Sequence, residues 1–96
     1  MHSDKTQVVR KLLFSGIVQG VGFRYFAQRS AATHQIRGYI KNLDDGRVEA
    51  LVEGGEKAVE AFKQDLSAGP RGAVVENIEE TVLEPESDYS SFLIEK

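Results

Sequence analysis

The spacing of apolar residues separates predicted strands from predicted helices along the chain. Residues 8–15 mix apolar side chains with two cations, which predicts a first, central strand buried on much of both faces. Apolar residues recur at three- and four-residue spacing over 23–35 and 56–68, which predicts two helices with one buried face each. Gly69 and Pro70 are typical of a helix end, so the second helix is expected to stop there.

Two further predicted strands, 38–43 and 47–53, form a hairpin. They flank Asp45-Gly46, a dipeptide that favours tight turns because such turns need positive φ. Apolar and charged residues alternate within 47–53, except at Leu51, which indicates that one face of the sheet contacts solvent.

The last two predicted strands are 73–83 and 92–94. The parity of the apolar residues shifts at Val74-Val75, which predicts a β-bulge in the long strand, and the short strand is typical of a sheet edge. Four acidic residues accompany the long strand: Glu76, Glu79, Glu80 and Glu84. They resemble a metal site in composition only, because period-2 spacing spreads them along the strand, and we expect a solvated face.

The order of elements predicts the fold class. Strand, helix, strand, strand, helix and strand, with a terminal edge strand, is the split βαβ pattern of the ferredoxin-like α+β fold. We expect a βαββαβ sandwich, with two helices on one face of a mixed, largely antiparallel sheet. A single domain is predicted over 8–96 after a flexible tail over 1–7. This architecture hosts enzymes, RNA-binding modules and small-molecule sensors, so it does not select a function.

Composition excludes several classes of function. The 96 residues include no cysteine, so there is no disulfide, thiolate nucleophile or cysteine metal site, and His2 and His34 cannot alone form a usual zinc site. Twelve basic and fifteen acidic residues give a net charge of −3, which disfavours nucleic acid. No apolar run approaches the roughly 18 residues of a membrane span, and the N-terminus lacks a signal-peptide core. We therefore expect a cytoplasmic monomer with no cofactor, no metal, and no nucleic-acid or membrane partner.

Residues 16–24 join the first strand to the first helix through a turn suited to an anion. Gly16, Gly20 and Gly22 allow positive φ and a close approach of backbone N–H groups to a ligand. The following helix adds its first-turn N–H groups and the positive end of its dipole. Arg24 lies where a helix least favours a cation, at a cost of about 0.3–1 kcal/mol without a nearby anion. The alternative is an ordinary tight connection with a solvated arginine.

Neither common phosphate-binding loop fits this turn. A Walker A loop needs Lys and then Ser or Thr after its last glycine, where Phe23 and Arg24 stand. A dinucleotide-binding loop needs a third glycine where this chain has Tyr25. Nucleotide binding is therefore disfavoured. A second polar residue, Asn42, ends the strand before the hairpin, and alone it indicates little, because asparagine there usually bonds its own backbone.

Taken together, the two motifs resemble those of the acylphosphatase family, G-x-V-Q-G-V-G-F-R and G-x-V-x-N-x-x-D-G. Residues 16–24 match the first motif. The second is matched by Gly38, Asn42, Asp45 and Gly46, with Ile40 in place of valine. Further matches at 53–54, 59–62, 69–70 and 92–94 extend the resemblance over most of the chain. His34 and Gln35 depart from the family, which usually has an aliphatic residue and a glycine there, and we expect a stability cost of at most about 1 kcal/mol.

The resemblance implies hydrolysis of an acyl phosphate to a carboxylate and inorganic phosphate, with Arg24 binding the phosphoryl oxygens and Asn42 orienting the attacking water. Phosphoryl transfer needs charge stabilisation and an in-line water, which suits this pair. The expected backbone donors are Gln19, Gly20, Val21, Gly22 and Phe23. Asn42 cannot act as a base, so the substrate's own phosphate is expected to accept the proton, and no metal is implied.

Binding without catalysis is the second interpretation. An RNA-recognition module shares the element order but stacks bases on aromatic residues of its third strand, and 47–53 contains two acids and no aromatic residue. A phosphate- or small-molecule-binding module of the same ferredoxin-like fold would not need Arg24 together with Asn42. A phosphate-binding domain of a larger carbamoyl-handling protein is a third interpretation, and we expect a stand-alone acylphosphatase.

Overall fold

Seven elements follow one another in the predicted order. The structure, a computed structural model, describes residues 6–85 and 89–95. The elements are β1 (Gln7–Ile17), α1 (Phe23–His34), β2 (Arg37–Asn42), β3 (Val48–Gly55), α2 (Glu56–Ala68), β4 (Val74–Leu83) and β5 (Phe92–Glu95). Every predicted bound lies within two residues of the observed one. Residues 1–5 of the predicted tail lie outside the described residues. No helix in the described part of the chain is long and apolar enough to cross a membrane.

The five strands form one mixed sheet in the order β4-β1-β3-β2-β5. Three of the four pairings are antiparallel, and β2 and β5 pair in parallel, which confirms the predicted ferredoxin-like class. The middle strand is β3, whereas the sequence predicted β1. Because β1 has a paired neighbour on each side, it is buried like a central strand although it lies one place away from the centre.

The core lies between the sheet and the two helices. Leu12 and Phe14 of β1 and Phe62 of α2 are fully buried there. Phe23, the first residue of α1, is 1% exposed, and its ring meets that of Phe14 edge to face at 5.2 Å between centroids. Burial of one aromatic side chain stabilises the fold by roughly 1.5–3 kcal/mol. This contact holds the start of α1 against β1.

A β-bulge interrupts the pairing of β1 with β4. Ser15 pairs with Asn77 and Gly16 with Val75, so Glu76 is the extra residue, next to the predicted Val74-Val75 site. Gly16 has φ of +122°, and a Cβ there would overlap the carbonyl oxygen of Val74. The bulge therefore lies where the glycine lets β4 approach closely.

The acids of β4 do not form a metal site. Residues 6–85 and 89–95 contain no group of three metal-ligating side chains. Glu76 and Glu79 are exposed, as predicted. Glu80 instead forms ion pairs at 3.1 Å with Arg10 Nε and at 2.6 Å with Lys63 Nζ, so it joins β4 to β1 and α2.

Asp65 of α2 links the two helices. Ser30 Oγ donates to Asp65 Oδ2 at 2.7 Å, and His34 Nε2 lies 3.0 Å from the same oxygen. The Ser30 hydroxyl, and after it His34, hold the pKa of Asp65 below its ordinary value of 3.8. Since the folded pKa is the lower one, this link contributes stability above pH 3.8 and loses it as pH falls through the folded value. His34 is thus a partly buried residue at the end of α1.

The end of α1 is strained at Gln35. This residue has φ 57° and ψ 45°, and it is the one non-glycine residue with positive φ in the described ranges. Its left-handed geometry lets the next N–H, that of Ile36, donate to Ala31 O at 2.8 Å, which closes the helix. A side chain in this conformation costs roughly 1–2 kcal/mol. The family's glycine would avoid that cost.

We predict that Gln35→Gly stabilises the protein. The gain should be about 0.5–1 kcal/mol, because relief of the strain exceeds the extra chain entropy that glycine gives the unfolded state. Urea denaturation measures it. The matched control is Ala32→Gly, which lies inside α1 with ordinary helical geometry and should lose about 1 kcal/mol. Equal losses in both variants would contradict the assignment of strain to Gln35.

Candidate active site

One cavity of about 210 Å³ lies where the turn after β1, the start of α1 and the ends of β2 and β5 meet. Its lining residues are Val18, Gly20, Gly22, Phe23, Arg24, Tyr25, Asn42 and Ile94. Both predicted catalytic residues, Arg24 and Asn42, are among them, although they belong to different elements. They meet because Arg24 of α1 is hydrogen-bonded to β5, which pairs in parallel with β2, the strand that ends at Asn42.

The turn offers a set of free backbone donors. Gly20 and Gly22 have φ of 76° and 75°, and a Cβ at either position would meet no atom within 4 Å. Glycine is therefore needed there for its conformation and not for space. The first helical hydrogen bond runs from Phe26 N–H to Gly22 O at 3.0 Å. The N–H groups of residues 20–25 donate to no other group in the part of the chain that the structure describes, so they can meet a ligand.

Arg24 supplies the charge of the cavity. Its Nη1 donates to the backbone carbonyl of Glu95 at 2.8 Å, which orients the guanidinium and leaves its other N–H groups for a ligand. The first turn of α1 contains no acidic residue, and no carboxylate is found among the described residues that line the cavity. Arg24 therefore has no counter-charge among the described residues of its site, and a bound anion would supply one.

Asn42 presents an unsatisfied acceptor. Its Oδ1 is buried and has no hydrogen-bond partner among residues 6–85 and 89–95. The backbone bond that asparagine often makes before a turn is thus not formed by this oxygen. Leaving a buried acceptor without a partner costs about 1–3 kcal/mol. A water or ligand bound in the cavity would recover that energy.

The side chain of Gln19 has a role that the sequence did not predict. Gln19 Nε2 donates to Leu43 O at 2.8 Å and to Arg47 O at 2.9 Å, so it ties the glycine turn to the β2–β3 hairpin. Leu43 directly follows Asn42. Gln19 therefore couples the position of Asn42 to that of the turn, and it does not line the cavity. Val21 does not line it either, because it packs against the core.

The remaining predicted donors meet at the cavity. Gly20, Gly22 and Phe23 line it together with Arg24, and Phe23 can contribute only its backbone, since its ring is in the core. Sequence reasoning missed Val18, Tyr25 and Ile94. Tyr25 and Ile94 are large apolar residues that are 64% and 38% exposed. The available signals were that Tyr25 directly follows Arg24 and that Ile94 lies within the closing family match at 92–94.

A larger cavity of about 420 Å³ lies at the other end of α1, near Gln35 and Phe92. None of the predicted site residues lines it. The Arg37 side chain beside it is already paired with Glu53, at 3.3 Å between Nη2 and Oε2. Because its cation is already paired, this cavity is a weaker candidate for an anion site despite its size.

Comparisons with known proteins identify the family of this chain. The acylphosphatase family model matches residues 10–94. An acylphosphatase from Thermotoga petrophila is 45% identical over 82 residues, covering 83% of this chain and 91% of that protein. The crystal structure of acylphosphatase from Bacillus subtilis is 37% identical, with a TM-score of 0.90 and coverage of 93% of this chain and 99% of that one. T. kodakarensis HypF is 39% identical with a TM-score of 0.82, and the match covers 93% of this chain but 12% of that one.

We predict that Gln19→Ala both destabilises the protein and displaces Asn42. Loss of two hydrogen bonds should lower the free energy of unfolding by about 1–3 kcal/mol, and the side-chain amide signal of Asn42 in a ¹H–¹⁵N spectrum should move. Gln28→Ala is the matched control, because Gln28 makes a single 3.4 Å bond to Phe92 O. It should cost less and leave the Asn42 signal in place. An unmoved Asn42 signal in Gln19→Ala would contradict the coupling.

Proposed function

The chain belongs to the acylphosphatase family and is an enzyme that hydrolyses acyl phosphates, and we propose that the cavity at Arg24 and Asn42 is its active site. One observation carries the proposal. The same 210 Å³ cavity is lined by Arg24, which has no counter-charge among the described lining residues, by Gly20, Gly22 and Phe23 with their free N–H groups, and by Asn42, whose buried Oδ1 has no partner in the described ranges. An acyl phosphate with its attacking water satisfies all three.

In this proposal the phosphoryl group binds in the glycine turn. Backbone N–H groups of Gly20, Gly22 and Phe23 and the guanidinium of Arg24 donate to its oxygens, and the dipole of α1 adds to the attraction. The bond from Arg24 Nη1 to Glu95 O holds the guanidinium in one orientation before the substrate arrives. Donors that are fixed in advance stabilise the developing charge without reorganisation during the reaction.

Asn42 is proposed to orient the attacking water. Its Oδ1 accepts a hydrogen bond from that water, which directs a lone pair of the water oxygen to phosphorus. Asn42 has no useful pKa, so it positions the water and takes no proton. Gln19 supports this role from outside the cavity, because its two bonds to the hairpin hold the strand end that carries Asn42.

The proton is proposed to move to the substrate. No histidine or carboxylate is found among the described residues lining the cavity, so a phosphate oxygen of the substrate is the nearest acceptor. The water oxygen forms a bond to phosphorus, the bond from phosphorus to the acyl oxygen breaks, and the proton stays on phosphate. The products are a carboxylate and dihydrogen phosphate. Arg24 and the N–H groups supply the charge stabilisation that a metal supplies in other phosphoryl-transfer enzymes, so we propose a metal-independent reaction.

The match to T. kodakarensis HypF covers 12% of that protein, so a similar domain occurs within a longer chain, and the alternative is a non-catalytic phosphate-binding domain. We favour the enzyme, because such a binding domain would use Arg24 and the turn but would not need Asn42. We further propose that the protein acts as a cytoplasmic monomer on a small-molecule acyl phosphate, with no nucleic-acid or membrane partner.

Kinetics of two variants separate the proposed roles. Arg24→Ala should lower turnover of benzoyl phosphate about 10²-fold or more and weaken inhibition by inorganic phosphate, because a preorganised charge partner is lost. Asn42→Ala should lower turnover while the inhibition constant for phosphate stays nearly constant, since Asn42 holds the water. Turnover is measured as the release of benzoate with a chelator present, and the inhibition constant as the decrease of that release when inorganic phosphate is added.

Arg24→Lys is the matched control for charge without the planar fork. It should retain part of the phosphate affinity and recover little of the turnover. Equal losses of turnover and phosphate affinity in Asn42→Ala would contradict its water-positioning role. Loss of wild-type activity with the chelator would contradict the metal-independent reaction.

A further inference from the structure

The cavity has more room than the phosphoryl group requires. Its volume of about 210 Å³ exceeds the roughly 150 Å³ of an apolar cavity that can hold benzene. It is nevertheless smaller than the roughly 300–1,000 Å³ of a pocket for a larger ligand. Once the phosphoryl group occupies the space next to Arg24, the volume that remains is too small for a large acyl group. Such a group must therefore extend along the rim of the cavity.

Tyr25 and Ile94 form the apolar part of that rim. Both line the cavity and are partly open to solvent, at 64% and 38% exposure, so each presents apolar surface that the core does not use. Tyr25 follows Arg24 on α1, and Ile94 precedes Glu95, whose carbonyl orients Arg24. The two rim residues therefore directly neighbour, on α1 and on β5, the arginine of the proposed phosphate site and the residue whose carbonyl orients it.

The charges nearby do not suit an anionic acyl group. Arg24 is the one charged residue among the described residues that line the cavity, and the phosphoryl group engages it. Lys41 precedes Asn42, so strand alternation directs it to the opposite face. There Lys41 Nζ lies 4.0 Å from Glu49 Oε2 and 5.6 Å from the centre of the Tyr39 ring. A second negative charge on the substrate would find no further cation among the described residues that line the cavity.

We propose that Tyr25 and Ile94 form a subsite for a neutral, apolar acyl group, so that aryl and branched acyl phosphates are favoured over small ones. The proposal rests on the function given above, because it takes the phosphoryl end to lie at Arg24. The phenol ring of Tyr25 stacks on an aromatic acyl group or covers a branched one, and Ile94 closes the opposite side. These contacts add binding energy remote from the reacting phosphorus, so they act on kcat/KM for larger substrates.

The test compares benzoyl phosphate with acetyl phosphate in wild type, Tyr25→Ala, Ile94→Ala and Tyr25→Phe. The quantity measured is the ratio of the two kcat/KM values, because the intrinsic reactivities of the substrates cancel when this ratio is compared between variants. Tyr25→Ala should lower the ratio about 3- to 10-fold, the range for losing one aromatic contact, and Ile94→Ala should lower it less. Tyr25→Phe should keep the ratio, since the ring remains.

Val82→Ala is the matched control, because Val82 is 70% exposed and lies on β4, away from the cavity. Its ratio should equal that of wild type. A ratio unchanged in both Tyr25→Ala and Ile94→Ala would overturn the subsite while leaving the proposed active site intact. Failure of the wild type to hydrolyse either substrate would overturn the proposed function itself, and the subsite with it.

Discussion

The proposed site depends on one constraint, an arginine at the start of a helix with no counter-charge among the described residues around it. Arg24 is unfavourable in the first turn of α1 by about 0.3–1 kcal/mol unless an anion is bound. Three features keep it there. Gly20 and Gly22 turn the chain through two left-handed residues, burial of Phe23 fixes the helix start, and the carbonyl of Glu95 holds the guanidinium. Each of these features would hold the proposed phosphate-binding groups in place before a phosphoryl group arrives.

The topology converts this local arrangement into a reaction site. Parallel pairing of β5 with β2 sets Ile94 beside Ile40 and brings the anchor of Arg24 near the end of the strand that carries Asn42. Gln19 then fastens the turn to the hairpin through the carbonyl of Leu43, one residue beyond Asn42. The groups proposed to bind phosphate and to position water therefore lie on separate elements that these contacts join.

Local rules predicted the elements well because their signals are local. The second helix, 56–68, agrees at both ends, since Gly69 and Pro70 stop it. The sequence could not predict the contacts that distant segments make through backbone carbonyls, because every residue has such a carbonyl. The backbone carbonyl that accepts from Arg24 does not restrict which residue stands at position 95. The same is true of the backbone carbonyls that accept from Gln19. The bulge lies at Glu76 because β4 approaches β1 closely across the sheet. The alternation of apolar residues in the sequence predicts only a neighbouring position, Val74-Val75.

If substrate phosphate supplies a counter-charge to Arg24, bound phosphate should stabilise the folded protein, and the dependence of stability on phosphate concentration tests this most directly. Thermal unfolding of wild type and Arg24→Gln would be followed with increasing inorganic phosphate at constant ionic strength. Wild type should gain about 2.7 kcal/mol when phosphate reaches 100 times its Kd. Arg24→Gln should gain far less at the same concentration, keeping only the general stabilisation that phosphate gives folded proteins. Equal gains in the two proteins would contradict the account.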